Sequence, residues 1–186
     1  MGRQKLLLPW GGKPVIRHIV DELLASIVDQ VDVVSGEDYE QVGDCLIDCS
    51  VRLVQNPISH AGMLTSVRAG LNAADRRADG FMIVLGDQPS LNAALIDSLV
   101  AFWRSAPSSL VRPVFGDRHG HPLIVPAEFR RVVLECFDEV GLKGLLREYP
   151  ERIREWSTED VGVITDIDTP EDYERELRRL MISSRV

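Results

Sequence analysis

Apolar positions along this chain switch between a helical spacing and short β-branched runs, and the switches fall in a regular order. Pro14 to Ala25 (PVIRHIVDELLA) puts Val15, Ile19, Val20, Leu23 and Leu24 on one helical face, and Pro14 suits a first helical turn. Gln30 to Ser35 (QVDVVS) predicts a short strand, Asp38 to Ile47 a weaker helix, and Val51 to Val54 a second strand. Gly62 to Ala74 reads as a helix with Leu64, Val67, Leu71 and Ala74 inward. Gly80 to Gly86 (GFMIVLG) is the strongest strand, a continuous apolar run of the kind expected when both faces of a parallel sheet are covered.

The alternation continues to the end of the chain. Ser90 to Trp103 predicts a helix opened by a Ser or Asn cap. Ser109 to Phe115 and His121 to Val125 read as strands on either side of a Gly-rich turn. Glu128 to Phe137 and Leu142 to Glu148 read as helices, then Arg152 to Trp156 and Val163 to Ile167 as strands, and Pro170 to Leu180 as an exposed closing helix. Such a succession implies βαβ units, a mostly parallel sheet and one α/β domain over residues 1–186. Right-handed crossovers put helices on both sheet faces, and ligands then bind beyond the carboxyl ends of the strands.

Composition narrows the class of ligand. Hydrophobic residues make up 45% and charged residues 27%, the balance of a soluble globular chain. The formal net charge of -8 argues against a duplex nucleic-acid binder, which needs a basic face. So acidic a protein can accept phosphates if a divalent cation screens them. No run is long and apolar enough to span a membrane, so a cytoplasmic location is expected. Cys45, Cys49 and Cys136 have no zinc spacing and are expected as reduced thiols.

Candidate chemistry clusters directly after strands. In Leu85-Gly86-Asp87-Gln88-Pro89, Asp87 stands just past the strongest strand, where one carboxylate oxygen can hold a magnesium ion while phosphates complete the shell. The structural alternative is a turn or cap role. In Asp166-Ile167-Asp168-Thr169-Pro170, alternation aims Asp166 and Asp168 to one face, where they repel unless a cation lies between them. A solvated strand end is the alternative there. Thr169 caps the helix that follows, and Glu171 and Asp172 suit its positive end. Arg3 or Lys5 can neutralise phosphate charge. Asn56-Pro57 and the helix start at Gly62 to Ser66 offer an anion or base-edge site, with simple capping the alternative. Gly116-Asp117-Arg118-His119-Gly120-His121-Pro122 carries two histidines that could ligate metal or move protons, too few for a zinc site, and reads as a polar, substrate-facing loop or a plain turn.

MGRQKLLLPWGGKP at the start, QNPISHAGMLTSVRAGL, LGDQP, the GHP of Gly120 to Pro122, and DIDTPEDYE occur in an order that resembles the MobA-like nucleotidyltransferases, most closely the molybdenum-cofactor cytidylyltransferases. The resemblance runs from Met1 to about Leu180. It implies a three-layer α/β/α Rossmann-like nucleotidyltransferase fold and magnesium-dependent transfer of CMP from CTP to molybdopterin, releasing pyrophosphate. It further implies that Asp87, joined by Asp166 or Asp168, holds Mg2+, and that Lys5, with Arg3, contacts the triphosphate. Asn56, Gly62 and Ser66 would line the nucleotide side. Gln88, Pro89, Gly120, His121 and Pro122 would line the acceptor side. A molybdoenzyme or its chaperone would be a further partner.

Members of that family begin with a strand and a glycine-rich loop of the form LAAGxSxRMGxxK, and this chain starts at the tail of that loop. A gene start placed too late, residues left out of the sequence, or a degenerate paralogue would each account for this. The departure implies a missing first strand, a gap between its neighbours, unpaired backbone groups and weak nucleotide binding. Two other functions fit the same residues: guanylyl or sugar-phosphate transfer on the same fold, and non-catalytic delivery of the cofactor.

Overall fold

The structure, a computed structural model, describes residues 5–183. Its strands and helices, in chain order, are β1 (Pro9–Trp10), β2 (Lys13–Pro14), α1 (Val15–Ala25), β3 (Asp32–Ser35), α2 (Tyr39–Cys45), β4 (Arg52–Gln55), α3 (Met63–Ala73) and β5 (Gly80–Ile83). There follow α4 (Ala93–Arg104), β6 (Leu110–Phe115), β7 (Arg118–His119), β8 (Leu123–Pro126), α5 (Arg130–Glu135), α6 (Leu142–Glu148), β9 (Ile153–Ser157) and α7 (Pro170–Ser183). Short 3-10 turns link several of them, and no helix among the described residues is long and apolar enough to cross a membrane.

Strand direction follows from the pairings. β5 and β6 each pair antiparallel with β8, and β9 pairs parallel with β6, so β5, β6 and β9 point one way and β8 is reversed. β3 and β4 form a separate parallel pair. In the five-stranded sheet three strands share one direction, and β7, antiparallel to β6, is reversed together with β8. Strand alternation then builds the layers. Phe81 and Ile83 of β5, Leu110 of β6, and Leu123 and Val125 of β8 pack with α3, α5 and α6. Met82, Val111 and Ile124, their chain neighbours, pack with α1, α4 and one side of α7. Both faces are covered by helices, the three-layer α/β arrangement.

Local signals account for most element boundaries. Asn92 caps α4 by accepting from the Leu95 amide, the one of the two expected cap types that is used. Thr169 and Asp172 exchange hydrogen bonds at the start of α7, a reciprocal cap that fixes where the helix begins. A Cβ at Gly80 would lie 2.7 Å from the Trp103 ring, so glycine at the head of β5 lets the indole close over the strand.

Three expectations need correction. None of the four residues of β5 is fully buried. Among the described residues β5 pairs only with β8 and β3 only with β4, so one edge of each strand is unpaired there. Val163 to Ile167 is not a strand. Asp160 accepts from the Gly162 amide at 2.8 Å and starts a 3-10 turn over Val161–Ile164, which overrides the β-propensity of its valines. Leu24 of α1, expected inward, is 39% exposed, while Ile16 takes the buried place beside it.

Leu99 of α4 is fully buried against the cluster that includes Val15, Ile19 and Trp103. Leu99→Ala removes methyl groups from a site that cannot collapse freely and is expected to cost about 2–5 kcal/mol. Urea unfolding followed by circular dichroism checks this, and a loss under about 1 kcal/mol would show that the layer is loosely packed.

Candidate active site

The site begins where β5 ends. Past Ile83 the chain runs through Val84 and Leu85 into a turn at Gly86 and Asp87, at the carboxyl edge of the sheet. A Cβ on Gly86 would stand 2.8 Å from Leu6, so glycine there allows the 3-10 turn at Lys5–Leu7 to lie directly on the turn. Leu6, Leu7 and Leu8 pack on the α1/α4 core, and the Leu8 carbonyl accepts from the Val15 amide at 3.0 Å. Those apolar anchors leave Lys5 pointing at the acids.

Across the turn, the Ile167 amide donates to the Asp87 carbonyl at 3.0 Å, and the Ile167 side chain is fully buried. One backbone bond therefore clamps the 166–168 segment to the Asp87 turn. With Ile167 inward, Asp166 and Asp168 both face the same open cleft of about 330 Å3. The alternation expected from the sequence holds even though the segment is extended coil.

Lys5 Nζ lies 3.4 Å from Asp87 Oδ2 and 2.5 Å from Asp168 Oδ1. Partial burial works against the lysine's charge, but the hydrogen bond and charge of Asp168 and the charge of Asp87 outweigh it and raise its pKa above the usual value. Two carboxylates thus converge on one cationic point.

Asp166 is engaged differently. It accepts from Gln88 Nε2 at 2.6 Å. Gln88 is 2% exposed and its Oε1 has no partner among the described residues. Pro89 is buried as well, and its carbonyl is hydrogen-bonded to His18 Nε2 at 3.0 Å. Direct acceptor contacts by the Gln88 and Pro89 side chains are therefore corrected: they hold Asp166 and shape the Asp87 turn from beneath.

The Gly120-His121-Pro122 turn, with a cis bond before Pro122, packs on the 3-10 turn through the His121 amide, which donates to the Val163 carbonyl at 2.8 Å. Gly120 has no room for a side chain against that same carbonyl. Burial lowers the His121 pKa, while the charges of Asp166 and Asp87 pull it back upward.

On the proposed nucleotide side, Asn56 is 2% exposed and its amide is spent internally, donating to Thr65 Oγ1 and Ser66 Oγ at 2.9 Å each. Asn56 therefore supports the α3 start rather than presenting itself to a ligand. Gly62, at φ 113°, takes a backbone conformation that favours glycine and opens α3, with Ser66 one turn on. Arg3 lies outside the described residues.

Sequence reasoning missed Glu176 and Arg179, which also line the cleft, together with Arg118 of the loop read as substrate-facing. Tyr173, Glu176, Leu177 and Leu180 follow the spacing of an apolar stripe, and all but Glu176 pack on the core. An acid in that stripe was the available signal.

Could the residues hold a divalent cation? Two hard carboxylate oxygens already share one positive charge, the ammonium of Lys5, and oxygen donors of this type suit magnesium or manganese. No group of three or more ligating side chains forms among the described residues. The site fits an ion that takes one or two carboxylates and completes its shell with phosphate oxygens and water.

Residues 1–153 match the MobA-like NTP transferase domain. The chain is 30% identical to the purine catabolism protein PucB of Bacillus subtilis, over 97% of this chain and 91% of that one. It is 38% identical to the molybdenum cofactor guanylyltransferase of Xanthomonas euvesicatoria, over 54% of this chain and 47% of that one. A crystal structure of Rv0371c from Mycobacterium tuberculosis in complex with manganese superposes with a TM-score of 0.77, covering 95% of this chain and 93% of that one, at 24% identity.

The raised lysine is directly measurable. An NMR titration of Lys5 Cε is expected to give a pKa above 10.5, and Asp168→Asn to bring it down. Because the folded value is raised, its stabilisation is complete below the unfolded lysine pKa and is lost as pH climbs through the folded one. A Lys5 pKa at or below 10.5, or one indifferent to Asp168→Asn, would contradict the geometry.

Proposed function

The chain belongs to the MobA-like NTP transferase family, and from that premise we propose that it transfers CMP from CTP, with Mg2+, to the terminal phosphate of molybdopterin. The observation that carries this reading is the convergence of Asp87 and Asp168 on Lys5 at the carboxyl edge of β5. An acceptor phosphate oxygen forms the new bond to the α-phosphorus, the bond to the β-phosphate oxygen breaks, and pyrophosphate leaves with the electron pair. The attacking oxygen is ionised at neutral pH, so no side chain need take its proton. Positioning and charge neutralisation supply the rate in reactions of this class.

Each residue then has a limited task. Asp87 and Asp168 would hold the divalent cation, which when bound supplies neutralisation of phosphate charge. Lys5 adds a positive charge within reach of the same point. Gln88 keeps the Asp166 carboxylate directed into the cleft. Gly62 and Ser66 flank the nucleotide side, Asn56 fixes Ser66 from beneath, and Gly120, His121 and Pro122 flank the acceptor side. A cytoplasmic setting and a molybdoenzyme or its chaperone as recipient complete the reading.

A second reading is guanylyl transfer, favoured by the 38% identity to a guanylyltransferase. The base is decided by titration. Isothermal titration is expected to show magnesium-dependent heat with CTP exceeding that with GTP, and Asp87→Ala is expected to remove the magnesium-dependent part. A larger response to GTP would replace the cytidylyl reading, and metal-dependent binding that survives Asp87→Ala would overturn the site itself.

A further inference from the structure

The cleft that Asp166 and Asp168 share with α7 carries a second feature that nucleotide binding leaves unexplained. Glu176 is 2% exposed although it is a carboxylate on a solvent-facing helix. A buried charge is tolerated only when it is paired and hydrogen-bonded. Here Oε1 accepts from Arg179 Nη1 at 2.8 Å and from Arg175 Nε at 3.2 Å, while Oε2 accepts from Ser90 Oγ at 3.4 Å. The buried acid thus fixes two guanidinium groups along the cleft wall.

Their remaining donors differ. Arg175 is committed twice, since its Nη2 also pairs with Asp172 at 2.8 Å. Arg179 has Glu176 as its partner through Nη1 and lines the cleft with a half-exposed side chain, its Nε and Nη2 making no hydrogen bond among the described residues. Arg118, on the exposed hairpin strand β7, lines the same cleft, and its side chain has no hydrogen bond or ion pair among the described residues. Asp172 and Glu176 are answered by their own arginines, and Asp168 by Lys5. The cleft is therefore lined by carboxylates that already have partners and by two guanidinium groups, Arg118 and Arg179, with donors to spare among the described residues.

We propose that Arg118 and Arg179 form a binding site for a phosphate monoester, with Glu176 holding Arg179 in place. Guanidinium forks match the oxygens of a phosphate better than an ammonium does, and a pre-fixed fork loses less freedom on binding. The monoester is the acceptor end of the transfer, an assignment that rests on the reading of Asp87 and Asp168 as the transfer site. The site places the acceptor phosphate in the cleft that Asp168 also lines.

The test titrates glycerol 3-phosphate, and glycerol as the neutral control, into the whole chain without metal or nucleotide, each followed by isothermal titration calorimetry. Saturable binding of the phosphate is expected, weakened at least tenfold by Arg118→Gln and by Arg179→Gln, with unchanged thermal unfolding of the Arg118→Gln protein. No saturation in the wild type, equal binding of glycerol, or full retention in the double variant would overturn the proposal. Magnesium-dependent CTP binding is measured separately on the wild type. Phosphate binding without it sinks the transfer reading and leaves the anion site, and the reverse result sinks the anion site alone.

Discussion

Two carboxylates at the rim of one sheet repel each other unless positive charge lies between them, and the architecture around Asp87 and Asp168 answers that requirement. Lys5 provides the charge in the described structure, at 3.4 and 2.5 Å from the two acids. The neighbouring groups are arranged to keep the acids facing. The Ile167 amide clamps one acid segment to the other, Gly86 makes room for the lysine's own turn, and Gln88 directs a third carboxylate into the same cleft.

The fold matters because it brings these pieces from distant parts of the chain. β5 delivers Asp87, the extended segment before α7 delivers Asp168, and the packing of Leu6 to Leu8 on the α1/α4 core delivers Lys5. The reversed strand β8 follows from the tight turns after β6, and those turns place His121 against the 3-10 turn beside Asp166. A net charge of -8 then becomes intelligible, since a site that gathers cations tolerates an acidic surface around it.

Much of this was legible in the order of the residues. A continuous apolar run ending in Gly-Asp pointed to Asp87, and simple alternation pointed Asp166 and Asp168 to one side. Thr169 and Pro170 marked the start of α7. Other features depend on long-range packing that local patterns do not carry. Val163 to Ile167 reads as a strand by composition, yet Asp160 and the close approach of Gly162 to the Ser90 carbonyl force a tight turn. Asn56 and Gln88 read as ligand contacts because polar residues beside a site attract that role, whereas burial turns both into supports. Glu176 looked like one more acid on a charged helix, and only its position in the apolar stripe set it apart.

Binding of manganese, observed by NMR, addresses the central claim most directly. Substoichiometric Mn2+ should broaden the amide resonances of Asp87 and Asp168 first, with Lys5 affected alongside them, and Asp87→Asn should remove the effect. Broadening centred on another part of the surface, or unchanged in the Asp87→Asn protein, would contradict the account.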